Sequence, residues 1–184
     1  MDVYFATSNK HKVEEVTKIL KEFKITVKHF PFNHREIRSD SLEEISRVAT
    51  AAAYKQCREP VFVEDTGLFI EELNGFPGAF SAWALEKIGL QGILKLMENK
   101  TNRHAYFETC IGFKRDASHI SIFTGKCTGR ISTGKRGSGG FGYDSIFIPE
   151  GEHQTFAESI TLKNKLSHRY KSLLEFSKLL TSRR

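Results

Sequence analysis

The sequence predicts an α/β protein with a mixed sheet, and three observations carry that prediction. Short apolar strand candidates alternate with stretches of helical spacing through the first third of the chain, which asks for parallel strands joined by helices. Two longer segments of strand character then flank a short polar link, as an antiparallel pair would. A last stretch of helical spacing closes the chain. Parallel strands early and an antiparallel pair later make the sheet mixed.

Taken in order, "VYFA" (3–6) is a short strand ending in the polar turn "TSNKHK", after which Val13, Val16, Leu20 and Phe23 keep helical spacing. "ITVKHF" (25–30) alternates as a strand does. "SDSLEEISRVATAAAYKQC" is a helix, with Ser41 and Glu44 in a capping-box pattern. Pro60 separates it from "PVFVEDTGLFIEEL" (60–73), an apolar run carrying the adjacent acids Glu64 and Asp65. Side chains alternate along a strand, so the two acids should face opposite ways. Gly67 predicts that the strand ends there, with the acids at its mouth. A helix is expected over much of 80–98, after a Pro77-Gly78 turn. "HAYFETCIGFK" and "HISIFTGKCTGRI" flank "RDAS" as the antiparallel pair, and "DSIFIP" is a further short strand. One helix is expected within 162–180, with Leu166, Tyr170 and Leu173 in register.

The 184 residues fit one domain spanning 1–184. With 39% hydrophobic and 27% charged residues the composition is that of a globular protein. No apolar run is long enough to span a bilayer, and the N-terminus lacks the apolar core of a secretory signal. Cys57, Cys110 and Cys127 are odd in number and without CxxC spacing, so a reduced, cytoplasmic protein is expected. A net charge of +6 and a pI near 9.2 point to an anionic partner. A nucleic-acid module would need a contiguous basic stripe with interleaved aromatics. Here acids interrupt the basic residues, so no stable nucleic-acid partner is expected.

Two phosphate motifs nearly match and fail on physical grounds. "GRISTGKR" puts Arg136 where a Walker loop needs a hydroxyl for magnesium, and "GSGGFG" (137–142) opens no helix. A glycine-rich loop between strands remains. It allows close backbone approach to a ligand, with Phe141 and Tyr143 as stacking faces. "TSNKHK" either cups an anion at a helix N-terminus or simply caps that helix. Glu64 and Asp65 either ligate a hard cation such as magnesium or pair with a lysine or arginine. Glu36 stands as a further candidate ligand in a polar connection. Lys163, His168 and Arg169 gather donors suited to phosphates or a base carbonyl, or form a charged helix face.

Together these segments resemble the inosine triphosphate pyrophosphatase family. The likeness lies in "TSNKHK", "EDTGL" (64–68) followed by "GFPGAFSAW", "GGFGYD" (139–144), "TFAE" (155–158) and "KNKLSHR" (163–169), in the family's order. The resemblance implies hydrolysis of nonstandard purine nucleoside triphosphates (ITP, dITP, XTP) to the monophosphate and pyrophosphate. It also implies magnesium dependence and a homodimer of elongated, two-lobed α/β subunits, each a curved mixed sheet flanked by helices. Carried over, Thr7, Ser8, Asn9, Lys10, His11 and Lys12 match the triphosphate-binding turn, and Lys55 a phosphate-contacting lysine. Glu36 and Asp65 match the magnesium positions, Asp65 also the general base, and Thr66 the hydroxyl beside it. Phe141, Gly142, Tyr143 and Asp144 match the base site, with Phe141 stacking. Lys163, His168 and Arg169 match the groups that hold the phosphates and the 6-oxo edge. Glu64 stands where some relatives carry aspartate and Tyr143 where some carry tryptophan. Ser138 and Gly139 replace bulkier residues. A pyrimidine nucleotide pyrophosphatase and a nucleotide-binding protein without catalysis are the rival readings.

Overall fold

The structure, a computed structural model, describes residues 2–34 and 37–182. Strand β1 (Asp2–Thr7), helix α1 (Lys10–Glu22) and strand β2 (Thr26–Pro31) form the first strand–helix–strand unit. Helix α2 (Leu42–Cys57) leads into β3 (Val61–Ile70), which is followed by β4 (Pro77–Gly78) and α3 (Ser81–Leu96). Then come β5 (His104–Lys114), β6 (Ser121–Ile131), β7 (Phe147–Pro149), α4 (Ile160–Leu166) and α5 (His168–Thr181). The sheet order is β2-β1-β3-β5-β6-β7, with β4 paired to β3 off that path. β1 runs parallel to both β2 and β3, while β4 and β7 run antiparallel to β3 and β6. The link between β5 and β6 is too short for a parallel crossover, so this neighbouring pair is the expected hairpin. The mixed α/β sheet is therefore observed.

Three expectations are corrected. β3 does not end at Gly67 but continues to Ile70, because β4 supplies a new partner: Leu68 pairs with Gly78 and Phe69 with Pro77. A Cβ on Gly67 would come within 2.6 Å of the Gly78 carbonyl oxygen, so the glycine admits β4 rather than stopping β3. The Pro77-Gly78 turn is thus a two-residue strand. The single helix within 162–180 is two helices, broken at Ser167, which adopts extended backbone (φ −64°, ψ 153°) as the C-cap of α4.

Contacts group the chain into two compact units. The first gathers the described residues of Met1–Asp65, Thr109–Gly125 and Arg169–Arg184. On one face of its strands, Val3, Phe5 and Phe62 pack with Val16 and Leu20 of α1 and Leu173 and Phe176 of α5. Phe5 and Phe62 stack at 4.6 Å between ring centres. On the other face, Ala6, Val61 and Val63 lie against Ala49 and Ala53 of α2. α2 also meets β5 closely at Gly112, where a Cβ would fall 2.2 Å from Thr50 Oγ1 and 2.9 Å from the Ser46 carbonyl oxygen. The second unit, Thr66–Glu108 and Lys126–His168, has its own core of Leu68, Ile70, Ile93, Met97, Phe107, Phe147 and Phe156.

Candidate active site

Strand parity sorts the two acids. Glu64 shares the face of Phe62, toward α1 and α5, and is buried; Asp65 shares the face of Val61 and Val63, toward α2, and is half-buried. The ladder between β1 and β3 stops at Phe5 and Phe62, so both acids lie beyond the last rung with β1. They sit mid-strand rather than at a mouth, but at the carboxyl end of a parallel neighbour, Glu64 level with Thr7 and Asp65 one residue beyond it, where α/β sheets place ligands.

Glu64 is clasped by cations. Arg169 Nε donates to Oε2 at 2.9 Å and Nη2 to Oε1 at 3.1 Å, a bidentate fork. Lys12 Nζ is 3.7 Å from Oε1 and donates to the Glu64 carbonyl oxygen at 2.9 Å. Arg169 Nη1 reaches Glu15 Oε2 at 2.7 Å. Burial opposes the charge of Arg169, but Glu64 and Glu15 outweigh it and hold the guanidinium above its usual range. Asp65 has a different setting. The Ser46 hydroxyl lies 3.2 Å from Asp65 Oδ2 and 3.0 Å from the Cys110 carbonyl oxygen; its one hydrogen serves one of them at a time.

"TSNKHK" does cap its helix. Asn9 Oδ1 accepts from the Lys12 N–H at 3.2 Å, and Thr7 Oγ1 accepts from the Asn9 N–H at 3.1 Å. The same residues present the first turn of α1, and Lys12 carries it to β3. Ser8, Lys10 and His11 are exposed, and Lys55 is exposed in the last turn of α2. Thr66 follows Asp65 on β3, half-buried.

In the second unit the glycine-rich loop is pinned. Phe141 N–H donates to Asp144 Oδ2 at 2.8 Å, and Lys163 Nζ, buried in α4, donates to the same oxygen at 2.7 Å. Lys163 also stands over the Phe141 ring, 4.5 Å from its centre. Gly140, at φ +69°, leaves room for this carboxylate: a Cβ there would be 2.1 Å from Asp144 Oδ2. Gly142 is half-buried beside Phe141. Tyr143 lies in the second core, its hydroxyl donating to the Ser81 carbonyl at 2.7 Å and its phenol pushed up by burial. It supports the loop from beneath. The "TFAE" segment braces it too: Thr155 Oγ1 donates to the Arg136 carbonyl at 2.8 Å, and the Gly139 N–H donates to the Ala157 carbonyl at 3.0 Å. Buried His168 stacks on Phe107 at 4.4 Å.

Glu36 lies outside the described residues. Among the described residues, no three His, Cys, Asp or Glu side chains gather where they could hold a metal ion. Asp65 suits magnesium nonetheless: it is a hard oxygen donor, half-buried, and magnesium typically takes one or two carboxylates together with substrate phosphates. Among the described residues no helix is long and apolar enough to cross a membrane.

Residues 3–179 match the Ham1 family. The chain belongs to that family. It is 47% identical over 178 residues to a dITP/XTP pyrophosphatase of Methanopyrus kandleri, covering 96% of this chain and 95% of the relative. A dITP/XTP pyrophosphatase of Pyrococcus horikoshii is also 47% identical, over 96% and 95% of the two chains. Among solved structures, the Staphylococcus aureus Ham1 protein superposes with a TM-score of 0.85 at 27% identity, covering all of both chains. The Ham1 protein of Coxiella burnetii gives 0.86 at 27% identity over 99% of each. The membership drawn from five short segments of sequence is thus met over residues 3–179.

Proposed function

We propose that this Ham1 protein is a nucleoside triphosphate pyrophosphatase that hydrolyses ITP, dITP and XTP to the monophosphate and pyrophosphate. The observation that carries the reading is the placement of Asp65, half-buried and hydrogen-bonded by a neutral hydroxyl, next to Glu64, whose charge is engaged by Lys12 and Arg169. The names of its near-full-length relatives support the substrate class.

The turn Thr7–Lys12 and the start of α1 take phosphate oxygens through N–H groups, hydroxyls and ammonium groups. Lys55 adds positive charge to that set, and Thr66 a hydroxyl beside the acid. Asp65 accepts a proton from the attacking water, a contribution typically worth about 10²–10⁴ in rate. Asp65 and Glu36 would hold magnesium, whose chemistry is to neutralise charge developing on the leaving pyrophosphate. Lys12 and Arg169 stabilise phosphate charge electrostatically. Phe141 stacks on the base, with Gly142, Tyr143 and Asp144 shaping its loop. Lys163, His168 and Arg169 are the groups assigned to the phosphates and the 6-oxo edge. Adenine presents an amino donor there and leaves such donors unpaired, which penalises it strongly.

Asp65→Asn is expected to lose turnover by at least about 10²-fold while its circular dichroism stays that of the wild type. Turnover near the wild-type rate would remove Asp65 from the base role. We also propose that the protein acts in the cytoplasm as a homodimer, with sedimentation equilibrium expected to give twice the chain mass. A monomer at micromolar concentration would contradict that.

A further inference from the structure

Glu64 is the acid that the sequence left open between a metal and an ion pair. Its carboxylate is buried inside the first unit, and both oxygens are engaged: by the Arg169 fork at 2.9 and 3.1 Å, by Lys12 at 3.7 Å and by Thr109 Oγ1 at 3.4 Å. Glu15, three residues after Lys12 on α1, takes another arm of Arg169 at 2.7 Å. Two carboxylates and two cations therefore tie β3, α1 and α5 at one point. A magnesium ion on Glu64 would have to displace a bidentate guanidinium and leave that buried cation poorly compensated.

We propose that Glu64 is a positioning residue, an anionic anchor that holds the Lys12 ammonium beside the substrate's phosphates and locks the buried Arg169 guanidinium to the same strand, and that it is not a metal ligand. This role rests on the pyrophosphatase reading above. Lys12 is held twice, by its own N–H on Asn9 and by its ammonium on the Glu64 carbonyl, so the first turn of α1 is fixed to the strand that carries Asp65. Arg169 opens α5 directly after His168, so its guanidinium fixes the start of that helix to the same strand residue. The carboxylate thus fixes buried Arg169 and adds its charge, 3.7 Å away, to the hold on the Lys12 ammonium, without touching substrate. Lys12 acts on ground state and transition state alike, so losing its anchor weakens binding more than it slows the chemical step.

The test is Glu64→Gln, which keeps the shape and removes the charge. Pyrophosphate binding, measured by calorimetry in EDTA, is expected to weaken about 10- to 100-fold, with KM for ITP rising by a similar factor and kcat falling less. Mn²⁺ binding followed by electron paramagnetic resonance should stay within about twofold of wild type, and Glu64→Asp should recover part of the affinity. Loss of Mn²⁺ binding in step with activity would make Glu64 a metal ligand and overturn the proposal. Unchanged pyrophosphate affinity and KM with only a lower melting temperature would overturn it as well, leaving a structural ion pair. Should Glu64→Gln not fold, Glu64→Asp carries the test, with weakened pyrophosphate binding and unaltered Mn²⁺ binding expected. Wild-type protein that turns over no nucleoside triphosphate would defeat the pyrophosphatase reading itself, an outcome distinct from either.

Discussion

Adjacent residues here take opposite parts because strand parity separates them. Asp65 faces α2 and a serine hydroxyl, and Glu64 faces α1, α5 and two cations. That division was legible in "VFVED", since alternation alone puts the two acids on opposite faces. Their partners were harder to read. Glu15 stands three residues after Lys12, a helical spacing that could have revealed it. Thr109 is the one polar residue in the inward row Ala105, Phe107, Thr109, Ile111 and Phe113 of β5. Ser46 falls on the buried face of α2, but nothing local shows that this helix meets Asp65 or the Cys110 carbonyl. At Gly140, positive φ and the nearby Asp144 carboxylate both exclude a side chain. Gly140→Ala is therefore expected to cost about 1–3 kcal/mol of stability in urea unfolding and to raise KM for ITP more than it lowers kcat. Unaltered stability and KM would show that the loop has room the geometry denies it.

At the scale of elements, local signals placed most boundaries and long-range pairing moved the rest. Ser41 caps α2 as its pattern predicted, accepting from the Glu44 N–H at 3.2 Å. The returning arm of the box is relayed: Glu44 accepts from the Ser39 hydroxyl, which accepts from the Ser41 N–H. β3 outran its glycine because β4 pairs with it, and Ser167 broke a helix that apolar spacing had joined. "TFAE" carried no readable role until folded, when Thr155 and Glu158 were seen to brace the glycine loop. The Thr155 N–H, foremost, holds Glu158 below the usual glutamate range against the opposing effect of burial, with the Arg136 guanidinium adding to it. A depressed folded value means that the contribution is complete above the unfolded value, about 4.3, and is lost as pH falls through the folded one. Wild type should therefore exceed Glu158→Gln in urea midpoint at pH 7, and the gap should close as pH drops below about 4. A gap that persists at pH 3 would show that the carboxylate charge is not what braces the loop.

For the whole molecule, order along the chain was more informative than any one motif. Composition suggested an anionic partner without choosing one, and both near-matches to phosphate loops were misleading. Five segments in family order then pointed to one family, and residues 3–179 match it. Two cores with separate residue sets were not legible, because β3, β5 and β6 each contribute to both units and alternation looks the same along their length. The central claim is a reaction, and it is tested most directly by chromatographic product analysis. The protein would be incubated with ITP, XTP, ATP and GTP, with and without Mg²⁺. The account predicts monophosphate and pyrophosphate from ITP and XTP only with the metal, and slow turnover of ATP and GTP. Diphosphate with orthophosphate as the products, or ATP consumed as fast as ITP, would contradict it.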